Sequence, residues 1–585
     1  MIHIKNVMIC DGTGREPFPG ELLLSGERIE AVSETPLGGL DAETIDGEGM
    51  TATPGFIDAH RHCDLAALFD PNFGELELAQ GLTTVVMGNC GLAPTPTTPE
   101  TRQALYDFIE PCLGKVPSGS AFPKVSDFLR ALESRPHPLN LGVLGATGAI
   151  TTACKGYGDV PFTADTRQQA EAYVRDAMEA GALGLSCGIM YTPECYSTTE
   201  DFAFLAKIAG EYGGYLTSHI RGEGNSLTQS VEEVLEIGRQ AGVGVNISHF
   251  KVTGLKNHGW GIEQAIAALE AARAQGQDAT ADAYPYPAGS TTILSLVPPT
   301  VVAAAGGDVC AFLATRPGRE LLETEITKEF DGWDNMVSSI GWERISISSV
   351  TAEEDRPFAG LDFTAAAELA GVSQAELLCG LVARSQGKVG VILQSMAQAD
   401  VDRVLTLPWV SLISDALYGG GDMPHPRLYG AFPKFLREYV RERSLLTFGQ
   451  AVRKMTSLPA KRLGLKDRGA LLPGYYADLL LFDPAKFTDR ATFQNPKQLA
   501  SGLDRVFVNG TDPRHHSGKL IKRNYFFSER DDHNEQDRRK TASPGPHPAS
   551  APRQRRPVHP GQALRGEAGV HLRLRPLRRR RPHCG

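Results

Sequence analysis

The sequence predicts an α/β fold: a central (β/α)8 barrel of the TIM type, with a small β-sandwich domain built from the two ends of the chain. Three observations carry this expectation. Short apolar runs with strand character recur between residues 54 and 414, and helical stretches separate several of them. Alternating runs punctuated by glycine mark residues 1–52 and again a distant segment near 474–510. Groups able to hold a metal stand just after the apolar runs, at the end of the strands where such a barrel keeps its chemistry.

In chain order, Ile2-His-Ile, Glu21-Leu-Leu-Leu and Arg28-Ile-Glu-Ala-Val are short strands separated by Gly20, Gly26, Gly47 and Gly49. Gly474 to Asp483 and Arg505 to Gly510 repeat that texture, so 1–52 and 464–525 are assigned to one composite sandwich. The barrel takes 53–463. Its strands are expected at Pro54–Asp58, Thr83–Met87, Leu139–Leu144, Ala182–Ser186, Tyr215–Ser218, Gly244–Ser248, Asp278–Asp282 and Trp409–Ser414. Ala170–Ala180, Leu227–Ala241 and Ile262–Gln275 read as helices between them. Residues 287–344 are too many for one connection and are expected to form an insertion over the mouth of the barrel.

At 585 residues and 41% hydrophobic content the chain can bury a large core. No apolar run approaches the ~20 residues that span a bilayer, and Met1-Ile-His-Ile-Lys-Asn-Val lacks signal-peptide architecture, so a cytoplasmic enzyme without membrane contact is expected. The ten cysteines form no CxxC pair, which argues against a disulfide framework and a zinc ribbon. From Arg538 onward there are 13 Lys/Arg against one Glu, which leaves 46 basic and 68 acidic residues before it. So acidic a body is a poor nucleic-acid binder. The basic tail, 526–585, has no apolar period and is expected to be disordered and without function.

His60 and His62 follow the first strand and, two residues apart, emerge on one side, able to reach one cation or two adjacent ones. Thr83 to Met87 leads into Gly88-Asn-Cys90-Gly91, a tight turn presenting a thiol. His219 and His249 each end a strand with the pattern Ser-His, and Asp415 ends Val410-Ser-Leu-Ile-Ser-Asp. Any one of these alone is weak evidence; six at strand ends, pointing into one bowl, favour a metal site.

On these residues the sequence resembles the N-acyl-D-amino-acid deacylases of the amidohydrolase superfamily, over about residues 1–525. The resemblance rests on Gly55-Phe-Ile-Asp-Ala-His60-Arg-His62, Gly88-Asn-Cys90-Gly, Ala182-Leu-Gly-Leu-Ser186 and Ser218-His219-Ile-Arg221-Gly-Glu223-Gly. Ser248-His249-Phe-Lys251, Tyr284-Pro-Tyr-Pro-Ala-Gly-Ser290-Thr, Ser414-Asp415 and Pro424-His-Pro-Arg427-Leu-Tyr-Gly add to it. It implies Cys90, His219 and His249 as tight Zn2+ ligands, and His60 and His62 as a second, weaker metal site. It implies Asp415 as the catalytic carboxylate, with His62 helping zinc to polarise the acyl carbonyl. Lys251, Tyr284, Ser290 and Arg427 would hold the carboxylate of an N-acyl amino acid substrate. These roles make chemical sense: a thiolate with two imidazoles leaves zinc an open position for water, and a carboxylate can shuttle that water's proton to the leaving amine. Two features depart from the pattern. Gly145-Ala146-Thr147 replaces a turn that often carries histidine, and Arg61 and Cys63 stand where small or acidic residues are common. Cys187, at the end of the fourth strand, reads as an ordinary buried thiol rather than a ligand. Two other function classes stay open: a cyclic-amide hydrolase of the hydantoinase or dihydroorotase kind, and a barrel scaffold without catalysis.

Overall fold

The computed structural model describes residues 1–523 except 331, 420 and 422; the basic tail, 526–585, lies outside the described residues. The fold is mixed α/β. Its centre holds eight short strands: β1 (Phe56–Asp58), β2 (Leu82–Met87), β3 (Asn140–Val143), β4 (Leu185–Gly188), β5 (Leu216–His219), β6 (Val245–Ile247), β7 (Ala279–Ala283) and β8 (Val410–Leu412). Each falls on one of the apolar runs read from the sequence, and nearly every residue in them is buried. Such strands are buried on both faces, and for that reason appear as unbroken apolar runs rather than alternating ones.

All pairings among them are parallel and follow chain order. β1 pairs with β2 and β2 with β3. Gly145–Ala146, just beyond β3, pairs with β4, and β4 through β8 pair successively. Beyond β8, Ala416–Leu417 lies parallel to Arg61–His62, which follows β1. The ends of the first and last central strands are thereby brought side by side.

The two ends of the chain meet, joined by hydrogen bonds into one seven-stranded sheet. Thr51–Pro54 causes this, because it pairs with Ile2–Ile9 on one side and with Leu479–Phe482 on the other. Ile4, Ile9, Leu22, Leu24, Leu479 and Leu481 form a small core of their own there. Thr51–Pro54 then runs directly into β1, so this sheet anchors the strand that delivers His60 and His62.

The inserted segment is longer than 287–344. Gly289–Thr292, Gly390–Leu393 and Ile345–Ser349 form an antiparallel sheet, and a separate hydrophobic cluster extends from Ile293 to Leu393. The helices Phe363–Ala370 and Gln374–Arg384 pack into that cluster through Phe363, Leu378 and Leu381. Helical periodicity shows that a helix has a buried face; it does not say which core the face enters. Among the described residues no single helix is long and apolar enough to cross a membrane.

Arg61, unexpected between two histidines, is fully buried and ties this centre together. Its Nη1 lies 3.3 Å from Asp58 Oδ2 and donates to Ser414 Oγ at 3.0 Å. Nη2 donates to Glu77 Oε1 at 3.1 Å and to the Leu428 carbonyl at 3.3 Å, and Nε to Tyr418 Oη at 2.8 Å. Replacing it with an apolar side chain leaves Asp58 and Glu77 buried without their cation. Arg61→Met should therefore lower the free energy of unfolding by about 3–5 kcal/mol, the usual result of stripping one partner from a buried ion pair. Denaturant unfolding measures this, and a change under about 1 kcal/mol would show that the network carries little.

Candidate metal centre and active site

The strand ends position the side chains that the sequence singled out. His60 and His62 follow β1, Cys90 lies three residues beyond β2, His219 closes β5, His249 is two residues beyond β6 and Asp415 three beyond β8. Three of them need unusual backbone: Cys90 (φ 55°), His249 (φ 37°) and Asp415 (φ 50°) are left-handed, among nine such non-glycine residues described. Backbone of this kind costs of order 1–3 kcal/mol and concentrates where side-chain direction matters.

The turn carrying Cys90 is held from beneath. Ser186 Oγ accepts from the Gly91 amide at 3.0 Å and donates to the Gly88 carbonyl. Buried Glu194 accepts from Thr147 Oγ1 at 2.5 Å and from the Gly188 amide at 2.8 Å. A Cβ on Gly91 would stand 2.2 Å from Glu194 Oε2, so position 91 has no room for a side chain. Thr147, in the turn that departs from the family pattern, thus fixes Glu194, which packs against Gly91.

The donor atoms converge in three overlapping groups, each with its atoms within 4.8 Å of one another: His60, His62 and Cys90; Cys90, His219 and His249; His60, His249 and Asp415. Cys90 Sγ is 3.2 Å from His60 Nε2 and 3.5 Å from His249 Nε2. Asp415 Oδ1 is 3.4 Å from His60 Nε2 and 3.3 Å from His62 Nε2. A tetrahedral zinc with sulfur at about 2.3 Å and nitrogen at about 2.0–2.1 Å sets its sulfur and nitrogen ligands ~3.5 Å apart. The donor set thus fits a metal. Burial holds His60, His219 and His249 well below the ordinary imidazole range, so they are neutral, as ligands must be. Burial also pushes the Cys90 thiol well up, with Asp415 adding to it, so taking up a metal releases a proton. The Nδ1 atoms of His60 and His62 are buried without a hydrogen bond. Cys187 is in none of these groups; its thiol donates to Ser218 Oγ at 3.1 Å, as an ordinary buried thiol would.

The pocket above is lined by His62, Cys90, His219, His249, Lys251, Tyr284, Ser290, Asp415 and Arg427, together with apolar residues and Ser295 and Met336 of the inserted segment. Arg427 is only 1% exposed, which rules out a surface salt bridge. Its Nη1 lies 2.8 Å from Asp415 Oδ2, its guanidinium sits 4.6 Å over the Tyr284 ring, and Nη2 donates to the Ser290 carbonyl at 3.4 Å. Ser290 therefore meets Arg427 through its main chain. Burial works to raise the Asp415 pKa, but Arg427 and His62 beside it hold the carboxyl well below the usual carboxylate range, so it stays ionised. Lys251 is raised above its usual range despite burial, because Glu223 faces it at 2.5 Å.

Sequence reasoning passed over Glu223 and Asp282. Glu223 Oε1 lies 3.0 Å from His249 Nδ1. Asp282 accepts from the His249 amide at 2.5 Å, and burial raises its pKa to about 7. Asp282 carried a usable signal, a carboxylate near the end of an apolar strand; Glu223 had none beyond its place in the His219 motif.

A parallel α/β core with Cys, His and Asp donors gathered at its strand ends defines a metal-dependent hydrolase site. Comparison with known proteins narrows the class. The amidohydrolase family model matches residues 43–198 and 383–511. The chain is 32% identical over 529 residues to the N-acyl-D-glutamate deacylase of Alcaligenes xylosoxydans xylosoxydans, covering 89% of this chain and 96% of that protein. It also matches the crystal structure of the N-acyl-D-glutamate deacylase from Bordetella bronchiseptica, complexed with zinc and a phosphonate mimic of the tetrahedral intermediate. That match has 30% identity and a TM-score of 0.75, and covers 89% of this chain and 99% of that one. A D-aminoacylase structure described for its binuclear metal centre, with one-metal activation and second-metal attenuation, matches at 31% identity and TM-score 0.73, with the same coverage. The chain belongs to the N-acyl-D-amino-acid deacylase family of amidohydrolases.

Cys90→Ala should abolish zinc binding and activity together. Elemental analysis of the purified variant checks this, and a full equivalent of retained zinc would remove Cys90 from the ligand set.

Proposed function

We propose that this chain hydrolyses N-acyl-D-amino acids to a D-amino acid and a carboxylate, using zinc held by Cys90, His219 and His249. The observation that carries the reading is the meeting, in one pocket, of that donor set with an ionised Asp415 and two cations, Lys251 and Arg427. His60 and His62 are assigned to a second, weaker site, in keeping with the D-aminoacylase described as activated by one metal and attenuated by the next. The same reading takes the parallel strands as one closed (β/α)8 ring, with every one of these groups on its C-terminal rim.

Zinc held by Cys90, His219 and His249 would supply an acidified water and Lewis acidity for the acyl carbonyl. Asp415 takes a proton as the water oxygen adds to the carbonyl carbon, and delivers it to the amide nitrogen as the C–N bond breaks. Lys251, Tyr284 and Arg427 fix the α-carboxylate; Arg427 offers a planar fork for it. With the carboxylate and the scissile amide both pinned, the side chain of only one hand enters the remaining space. The named relatives supply the hand, D.

The remaining wall also bears on the side chain. Among the described residues lining the pocket, Lys251 and Arg427 are the non-histidine cations, and each already faces a carboxylate, Glu223 or Asp415. Leu92, Cys112, Met190, Met336, Leu393 and Leu417 are apolar. An acidic side chain would bring a second carboxylate with no spare cation, so this chain is assigned to neutral side chains rather than to D-glutamate. A linear N-acyl amino acid is favoured over a cyclic amide because the relatives that this chain matches at 32% identity over most of its length are named as deacylases and a D-aminoacylase.

A panel of N-acetyl amino acids of both hands tests this. Turnover is expected for D substrates with neutral side chains, with little for L substrates, cyclic amides or substrates with a blocked carboxylate. Arg427→Ala should lower kcat/KM by ~1.5–3 kcal/mol, the scale of a charge-assisted hydrogen bond. Equal rates on both hands, or indifference to blocking the carboxylate, would overturn the assignment.

A further inference from the structure

Glu223 is buried beside the pocket and touches two groups of the proposed site. Its Oε1 lies 3.0 Å from His249 Nδ1 and 2.5 Å from Lys251 Nζ. Lys251 Nζ is in turn 2.8 Å from that same Nδ1 and 3.0 Å from the His249 carbonyl. The main chain at Glu223 is fixed as well. The Asp334 carboxylate, from the inserted segment, accepts from the amides of Glu223, Gly224 and Asn225 at 2.8, 2.7 and 2.9 Å. The Glu223 carbonyl accepts from the Thr253 amide at 2.7 Å.

His249 Nδ1 therefore has two neighbours with opposite requirements. An ammonium only donates, so the Lys251 contact is a hydrogen bond only if Nδ1 carries no proton. In a neutral ring the proton then sits on Nε2, the atom 3.5 Å from Cys90 Sγ. A carboxylate only accepts, so Glu223, whose Oε1 approaches Nδ1 to 3.0 Å, can bond the ring only when Nδ1 carries the proton, which leaves Nε2 with its lone pair. Only the second arrangement lets Nε2 bind a metal.

We propose that Glu223 is a positioning residue that selects the metal-binding tautomer of His249. Lys251 and the metal compete through that imidazole, so metal uptake breaks the Lys251–Nδ1 contact and releases one N–H of the ammonium for the substrate carboxylate, while Glu223 and the His249 carbonyl keep the others. The inference rests on His249 being a metal ligand, as assigned above. It links the inserted segment, through Asp334 and the 223–225 main chain, to both the metal and the substrate.

The test is zinc affinity, measured by titrating zinc-free protein against a competing chelator, for the wild type and for Glu223→Ala, Glu223→Gln and Lys251→Met. Glu223→Ala should weaken zinc by roughly 10–100-fold, the usual effect of removing a ligand's orienting partner. Glu223→Gln keeps an accepting oxygen in nearly the same shape and should weaken it less, which guards against reading misfolding as lost affinity. Lys251→Met should bind zinc at least as tightly as the wild type while raising KM. Wild-type affinity in Glu223→Ala, or zinc loosened as much by Lys251→Met as by Glu223→Ala, would overturn the proposal and leave the ligand set standing. Failure of the wild type to take up zinc would overturn both.

Discussion

Everything at the site depends on one contact, the parallel meeting of Arg61–His62 with Ala416–Leu417. It brings the ends of the first and last central strands together and carries His60 and His62 to within 3.3–3.4 Å of Asp415. The Asp415 amide donates to the His60 carbonyl at 2.9 Å, so base and histidines are joined through the main chain as well. Arg61 locks this arrangement by holding Asp58 on one strand and Ser414 on the other, residues 356 positions apart. Buried carboxylates normally resist ionisation. Here Asp415 stays ionised because Arg427 is fixed beside it by the helix that begins at Arg427.

Burial has a second consequence. The same exclusion of water keeps His60, His219 and His249 neutral and the Cys90 thiol protonated, so the imidazoles have a lone pair for a cation while the thiol gives up its proton to bind one. The left-handed backbone at Cys90, His249 and Asp415 points in the same direction: the chain accepts local strain where it must aim a side chain into the bowl. Hydrogen bonds to the Cys90 turn from Ser186 and from the Ala149 amide offset that strain.

Much of this was legible in the sequence, for physical reasons. A strand buried on both faces must be apolar throughout, so all eight central strands showed as short runs, and donors at their ends could be read from their positions. The two ends of the chain share a texture that marks them as partners, while the pairing of Thr51–Pro54 on both sides leaves no trace in its four residues. The excess length that marks an insertion in the sequence says nothing of where it ends, and the sheet that includes Gly390–Leu393 extends it beyond Arg344. Arg61, Glu223 and Asp334 escaped for a common reason. Their importance comes from partners far away in the chain, such as Glu77 and Ser414 for Arg61, and Asp334 itself for the amides near Glu223. Arg427 lines the pocket, and its pairing with Asp415, 12 positions before it, has no signature in the sequence.

The account stands or falls on Asp415 being the group that moves the proton while the metal is held by others. Asp415→Asn should retain a full complement of zinc and lose turnover of an N-acetyl-D-amino acid by a factor on the order of 10²–10⁴, the contribution typical of a positioned general base. A zinc-loaded variant that turns over within severalfold of the wild type would contradict it.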